Sequence, residues 1–387
     1  MKKICVVTGT RAEYGLLKPV IKEINDSRDL ELELVVTGMH LSPEFGLTYR
    51  EIEQDGYPIK AKIEMLLSSD TTVGITKSMG VAIIGFADYF EGNKPDIVII
   101  LGDRYEMLMA ASAAMIARIP IAHIHGGELT EGLIDEAIRH SITKMSHLHF
   151  TTTEEYKKRV IQLGEQPCSV YNVGSLGVES IKKILLMKKE DLESIINFKF
   201  ANTIMVTYHP VTLESMTSAM QFKNILDVID AHKEITTIFT KANSDTDGRV
   251  INQMIDEYVN NNKDRCVAFA SLGQLKYLSA LQYCVAVLGN SSSGIIEVPS
   301  FGIPTINIGD RQLGRVHSES VIDCNCDMEQ IDTALKRALS PEFRQYILDV
   351  NNPYEGERTS ERIVDTIRKQ LNKGIDIKKK FYDIGVE

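Results

Sequence analysis

At about 150 residues per domain, 387 residues amount to two or three domains, and 43% hydrophobic and 25% charged residues with 26 Gly and 11 Pro exclude disorder, collagen and coiled coil. With 43 Lys and Arg against 53 Asp and Glu, the net charge of −10 is a poor match to a phosphate-coated duplex, so no nucleic-acid partner is expected. Met1-Lys2-Lys3-Ile4-Cys5-Val6-Val7 lacks a signal peptide's apolar segment, and no apolar run approaches the roughly 18 residues of a membrane span, so a cytoplasmic chain without a membrane partner is expected.

Short β-branched runs alternate with helical patterns along the chain. In order come Ile4–Thr8, a helix from about Glu13 to Ile24, Leu32–Thr37, a helical stretch near Thr72–Phe90, Ile97–Leu101, a helix Tyr105–Arg118 and Ile121–His125. Strand-helix-strand repetition implies a parallel sheet with helices on both faces, and the nearly uninterrupted apolar runs at Ile97–Leu101 and Ile121–Ile124 belong at its centre. Val170–Val173 and a charged, helix-prone stretch from Ile181 to Phe198 mark a boundary. The alternation restarts with Thr203–Thr207, a helix to about His232, Thr236–Thr240, a helix Asp247–Asn261, Cys266–Phe269, a helix to Tyr283, Val285–Leu288, a short helix after Ser293, and Thr305–Ile308. The expected architecture is α/β, two Rossmann-like doubly wound domains around a central cleft: residues 1–178, residues 179–358, and a C-terminal helix within 359–387 crossing back to the first domain. Cys5, Cys168, Cys266, Cys284, Cys324 and Cys326 show no C-x-x-C spacing and read as reduced thiols.

Polar residues collect at strand ends. Gly9-Thr10-Arg11-Ala12-Glu13-Tyr14 follows the first strand, where backbone amides and the Arg11 fork could face an anion, or simply make a tight turn. It is not a G-x-G-x-x-G fingerprint, and no G-x-x-x-x-G-K-[ST] loop occurs, so nicotinamide and nucleoside-triphosphate chemistry lose their markers. Asn290-Ser291-Ser292-Ser293-Gly294 follows an apolar strand and fits a diphosphate cradle, with Glu297 placed for ribose hydroxyls; an ordinary Ser N-cap with a first-turn Glu reads equally from the residues. Arg311 ends the next strand, and His209, in Tyr208-His209-Pro210, ends the first strand of the second half.

The ionisable residues gather in the first half. Asp103 and Arg104 end one central strand; His123, His125 and Glu128 end the next, followed by Glu131, Asp135, Glu136, Arg139 and His140. Paired carboxylates in one site can divide acid and base roles, although Asp135 and Arg139, at i and i+4, also read as a surface ion pair, and His123 as a satisfied core histidine. His123-x-His125 would put two imidazoles on one strand face, but spacing specifies no third ligand, so no metal is expected. Gly-x-Ser-x-Gly is absent.

On Thr8–Gly15, Val36-Thr37-Gly38-Met39-His40, Leu101-Gly102-Asp103-Arg104, His123–Glu128, Arg139–Lys144, Gly289–Gly294 and Gly309-Asp310-Arg311-Gln312, the chain resembles the hydrolysing UDP-N-acetylglucosamine 2-epimerases of sialic-acid and related nonulosonate synthesis, nearly end to end. The resemblance implies a glycosyltransferase-B type fold and a reaction in which a base removes the sugar C2 proton as UDP leaves C1, and water adds to the 2-acetamidoglucal to release N-acetylmannosamine. It implies Asp103, His125, Glu128, Glu131 and Asp135 as the catalytic set. For the nucleotide sugar it implies Arg11, His209, Asn243, Asn290, Ser291, Ser292, Ser293, Gly294, Glu297 and Arg311, with no cofactor and a homodimer or homotetramer. Animal and some bacterial members carry Glu at the place of His125, and one extra residue separates His125 from Asp135 here, which leaves the identity of the base open. The His-Ile-His variant resembles the bacterial branch; the sugar expected is N-acetylglucosamine, with its N,N′-diacetylbacillosamine relative as the alternative, ahead of a non-hydrolysing epimerase or a non-catalytic sugar-nucleotide sensor.

Overall fold

The structure, a computed structural model, describes residues 1–67, 69, 71–130, 133–211, 217–242 and 248–385. Its contacts divide the chain into unit 1, of Met1–Glu128, Ile134–Ser180 and Tyr354–Glu387, and unit 2, of Leu129–Leu133 and Ile181–Pro353. Unit 1 runs β1 (Lys2–Thr8), α1 (Arg11–Asn25), β2 (Leu30–Thr37), α2 (Tyr49–Gln54), β3 (Ile59–Ile63), α3 (Thr72–Asn93), β4 (Ile97–Leu101), α4 (Tyr105–Ile116), β5 (Ile121–Ile124), α5 (Asp135–Met145), β6 (Leu148–Thr151), α6 (Glu154–Gln162), β7 (Val170–Asn172) and α7 (Leu176–Lys183). Unit 2 runs α8 (Lys189–Ile196), β8 (Thr203–Thr207), α9 (Ser218–Ala231), β9 (Thr236–Thr240), α10 (Gly248–Asn261), β10 (Cys266–Phe269), α11 (Gly273–Leu281), β11 (Ala286–Gly289), α12 (Ser292–Ile296), β12 (Thr305–Ile308), β13 (Val321–Cys324), α13 (Met328–Leu339) and α14 (Pro341–Tyr346). The last helix, α15 (Thr359–Lys373), belongs to unit 1.

Both sheets are parallel and doubly wound, in the orders β3-β2-β1-β4-β5-β6-β7 and β10-β9-β8-β11-β12-β13. Alternation along β1 explains why unit 1 needs helices on both faces. Ile4 and Val6 pack with Leu17, Val20 and Ile21 of α1 and Ile363, Ile367 and Leu371 of α15, while Cys5 and Val7 pack with Phe86 and Phe90 of α3 and Met107 and Ala110 of α4. In unit 2, Val206 and Leu288 sit in the cluster that holds Phe222 and Ile225 of α9.

Three strands, β3, β6 and β13, lie outside the sequence expectation. At the sheet edge β3 exposes Lys60 and Lys62 at alternate positions and so lacks an apolar run. The charged stretch from Ile181 is split into the end of α7 and a separate α8, which stops at Asn197 in a left-handed conformation. One reading is corrected. The helix α3 is long and apolar enough, by length and composition alone, to cross a membrane; Gly, Thr and Ser interrupt its apolar run in the sequence. One face of it, Gly74, Ser78, Ala82, Phe86, Tyr89 and Phe90, is buried, and Ala82, Phe86, Tyr89 and Phe90 join the core cluster on that side of the sheet.

In each sheet the first strand has neighbours on both sides, and the connections leaving β1 and β4, or β8 and β11, diverge. Such switch points open a crevice at the strands' carboxyl ends. In unit 2 the two backbones meet closely: Gly289 has φ +142°, and a Cβ there would fall 1.9 Å from the Thr207 carbonyl oxygen. Gly289→Ala should therefore cost about 3 kcal/mol or more, lowering the thermal midpoint by at least about 6 °C. A scan showing an unchanged midpoint would contradict this packing.

Candidate active site

The ionisable residues of unit 1 converge on one buried guanidinium. Arg139, on α5, is 1% exposed, so it is not the surface partner that its i+4 spacing from Asp135 allowed. It pairs with Asp103 at the end of β4, donates through Nη1 to the Glu128 carbonyl oxygen at 2.8 Å, and meets Glu136 Oε2 at 3.3 Å. Glu136 in turn holds His140 Nε2 at 2.9 Å. The side chain of Asp103 keeps 23% of its surface exposed, and Asp135, the first residue of α5, is half-buried.

Glu128 faces inward at 2% exposed, and its Oε1 accepts from Thr152 Oγ1 at 3.1 Å and lies 3.7 Å from His125 Nδ1. At 3.7 Å the carboxylate and the imidazole are in ion-pair range, longer than a hydrogen bond. His123 and His125 do not share a strand face, because β5 ends at Ile124 and His125 turns to φ +66°. A non-glycine residue in the left-handed region costs energy, so the surroundings impose this direction on His125. His123 is fully buried: Nε2 donates to the Gly102 carbonyl oxygen at 2.7 Å, which leaves Nδ1 to accept from Thr143 Oγ1 at 3.1 Å. Burial pushes its imidazole down to about 3, so it is a neutral core histidine that ties β5 to the end of β4. Among the described residues no group of three or more His, Cys, Asp or Glu is arranged to hold a metal ion.

In the turn after β1, three backbone amides, those of Gly9, Thr10 and Glu13, are met by side chains of the turn itself. Thr10 and Glu13 form a reciprocal capping box, with Glu13 Oε2 accepting from Gly9 N at 2.7 Å and Thr10 N at 3.1 Å, and Thr10 Oγ1 accepting from Glu13 N at 3.2 Å. Those donors are already occupied. Glu106, 1% exposed, packs beneath the turn, where a Cβ on Gly9 would fall 2.7 Å from its carboxyl oxygen, and it accepts from Arg104 Nε at 2.7 Å. Burial and the nearby Glu106 charge raise the Glu13 carboxyl, with Arg104 as an opposing charge. Arg11 extends from the same turn to Glu51 Oε1 at 2.7 Å.

In unit 2, His209, Asn290, Ser291, Ser292, Ser293, Gly294, Glu297 and Arg311 gather around the β8/β11 switch point. Asn290 is fully buried and bridges the strand ends, accepting from His209 N at 2.7 Å and donating to His209 O at 2.8 Å. Its carbonyl oxygen receives Arg311 Nη1 at 3.0 Å and Gln312 Nε2 at 2.8 Å. Ser291 caps α12, accepting from Ser293 N at 3.4 Å, as an N-cap serine does. Ser293 donates to Glu297 and pairs with Tyr277 OH at 2.7 Å, so the phenol is the donor to Ser293. Burial raises the Glu297 carboxyl, and the Ser293 hydrogen bond partly offsets this. Gly294 lies against Thr305, whose hydroxyl donates to the Gly294 carbonyl oxygen at 2.7 Å. Glu131 and Asn243 lie outside the described residues.

Tyr277, Thr152 and Glu106 were not singled out in the sequence, and Gln312 entered only within the Gly309–Gln312 motif, without a role. Gln312 had a signal, its place beside Arg311 at a strand end. Tyr277 and Thr152 sit on other elements and become neighbours only through the fold.

Fold and site together define a protein built of two Rossmann-like domains of the glycosyltransferase-B type. The sequence profile of the UDP-N-acetylglucosamine 2-epimerase family matches residues 22–368, and the chain belongs to that family. It is 44% identical to the GDP/UDP-N,N′-diacetylbacillosamine 2-epimerase (hydrolyzing) of Campylobacter jejuni, over 99% of both chains. It is 40% identical to polysialic acid biosynthesis protein P7 of Escherichia coli over 99% of this chain and 98% of that one. With the UDP-N,N′-diacetylbacillosamine 2-epimerase (hydrolyzing) of Legionella pneumophila it shares 37% over 95% and 96%. Among solved structures, the UDP-GlcNAc 2-epimerase of Neisseria meningitidis bound to UDP-GlcNAc superposes with a TM-score of 0.80 at 19% identity, covering 95% of this chain and all (100%) of that one.

The neutral histidines give a signed pH dependence. His123 and His40 are held down to about 3 and about 4 by burial, so below about pH 6.5 the unfolded chain binds protons that the folded chain refuses. Stability should fall from that pH downward, and His123→Gln should reduce the slope between pH 6 and 4.5 by up to about 1.4 kcal/mol per pH unit. Chemical denaturation of both proteins across that range checks it; identical slopes would contradict a neutral His123.

Proposed function

We propose that the protein is a hydrolysing 2-epimerase of a UDP-linked 2-acetamido sugar. The observation that carries this reading is the buried Arg139, which fixes the half-exposed Asp103 beside the Glu128–His125 pair at the ends of β4 and β5, in a chain of this family. In this reading Asp103 and Asp135 exchange the protons, since both are carboxylates left half-exposed at the strand ends. Glu128 is turned inward and orients His125. The C2–H bond breaks with its proton passing to a carboxylate, the electron pair forms the C1–C2 double bond, and the C1–O bond breaks with UDP as leaving group. Water oxygen then adds at C1 while a proton returns to C2 on the opposite face. Epimerisation with hydrolysis leaves the sugar's oxidation level unchanged, so the route requires no hydride carrier.

The nucleotide reading for unit 2 is supported by the strand ends at the β8/β11 switch point, with Arg311 and the Ser291–Glu297 turn as donors and ribose acceptor. Of the two sugars, N,N′-diacetylbacillosamine is favoured, because relatives at 44% and 37% identity carry that sugar in their names. A homodimer or homotetramer belongs to the same proposal, supported by Val73, Val81 and Ile84 along α3, which are 61%, 40% and 65% exposed. So does a cytoplasmic location, supported by free cysteines at Cys5, Cys266 and Cys284 buried in the core.

Incubation with UDP- and GDP-linked N-acetylglucosamine and diacetylbacillosamine, followed by NMR, should show free 2-epimeric sugar and free nucleotide. A nucleotide-linked epimer as sole product would overturn the hydrolysing assignment. Asp103→Asn and Asp135→Asn should each lower turnover by about 10²–10⁴ while UDP affinity, read by calorimetry, is kept. Glu297→Ala should show the reverse pattern, weakening UDP by roughly 10- to 100-fold with much of the rate recovered at high substrate.

A further inference from the structure

The chain beyond α15 is tied to the far end of the helix that carries Asp135 and Arg139. Ile375 packs on the α1–α15 cluster. Four residues on, the Lys379 ammonium donates to the carbonyl oxygens of Lys144, at 2.8 Å, and Ser146, which close the last turn and cap of α5. It also lies 2.7 Å from Glu165 Oε2. Glu165, 2% exposed, is shared with Lys144 and with His149 Nε2 at 3.0 Å. The flanking residues hold the tail in register: Tyr382 N donates to the Gly164 carbonyl oxygen at 2.9 Å and Gln166 Nε2 to that of Lys380 at 3.3 Å. Phe381 covers Gly164, where a Cβ would fall 2.3 Å from the ring, and the Lys144 ammonium stands 5.1 Å from that ring's centroid.

The last carbonyls of a helix have no intrahelical donor, and a cation placed there satisfies them and complements the helix dipole. Here the cation comes from a residue more than two hundred positions away in the chain. Helix α5 has 11 residues, so its capped end is about 16 Å from Asp135. A helix anchored at its C-terminus cannot slide along its axis without breaking that cap.

We propose that Lys379 is a positioning residue: by capping the C-terminal carbonyls of α5 it sets the axial position of that helix, and with it the aim of Asp135 and Arg139 at the other end. The effect on turnover rests on the epimerase reading above; the capping itself does not. Relatively small displacements of acid–base groups cost rate steeply, so loss of the cap acts on the chemical step and spares nucleotide binding.

The test compares Lys379→Met, Lys379→Arg and a chain ending at Ile375 with the full-length protein, reading kcat, KM, UDP affinity by calorimetry, and amide hydrogen exchange along α5. Lys379→Met and the shortened chain should lower kcat by about 10-fold with KM and UDP affinity within about twofold, and should speed exchange in the last turn of α5. Lys379→Arg, which keeps the charge and donors, should restore most of both. Faster exchange with unchanged kcat would make the tail a cover only and overturn the positioning role. Unchanged exchange in α5 overturns the proposal whatever the activity does. Absence of sugar release by the full-length protein would instead remove the epimerase reading, with the exchange data still deciding whether Lys379 caps the helix.

Discussion

A guanidinium almost wholly removed from water is tolerated only when its donors are met, and at Arg139 that requirement organises unit 1. Asp103 comes from the end of β4, the Glu128 carbonyl from the connection after β5, and Glu136 from α5 itself. Removing one partner of a buried ion pair costs about 3–5 kcal/mol, far more than a surface pair contributes, so the three segments are locked to one another by electrostatics as much as by packing. Asp103, the acid that the proposed reaction uses, therefore gains its aim from a residue whose own part is to stay charged and buried. The restriction on Asp103 is the direct consequence: its Oδ2 is committed to Arg139, while the side chain keeps 23% of its surface exposed.

The two switch points have unlike chemistry. At the end of β1, Glu13 supplies a carboxyl acceptor from within its own helix, and Glu106 presses against Gly9 from below, so two carboxyls share the charge of Arg104. That crowding of acids leaves Glu13 biased towards its protonated form, while its Oε2 accepts from the Gly9 and Thr10 amides. At the β8 and β11 ends, Asn290 absorbs the backbone groups of His209 and presents its backbone carbonyl to Arg311, which holds the cationic fork at the strand ends. The same topology thus places an acid-rich cluster at the strand ends of one unit and a serine-, asparagine- and arginine-bearing cluster at those of the other.

Much of the framework was legible in the sequence because parallel strands covered on both faces read as apolar runs. The limits of β4, β8, β9, β10 and β12 agree with the expected runs to the residue, and those of β1 and β2 differ only at the start. Edge and short strands were not legible, since β3 alternates lysines with apolar residues and β6 carries His149 in a four-residue run. The candidate site was legible as a set of residue types at strand ends. Its pairings were not: Asp103 and Arg139 are brought together across an intervening helix and strand, and nothing in local spacing announces that contact. The turn of His125 into positive φ likewise follows from the loop's packing, with Gly127 beside it at φ +80° against the Tyr156 carbonyl. The strand periodicity that would have paired His125 with His123 on one face stops one residue too early.

The central claim is that this arrangement moves a proton at sugar C2 while the nucleotide leaves C1. Turnover in deuterated water, with the released sugar examined by NMR, tests it most directly. The account predicts one solvent deuterium at C2 of the free sugar and none elsewhere on its carbon frame; a released sugar that keeps its original C2 hydrogen would contradict it.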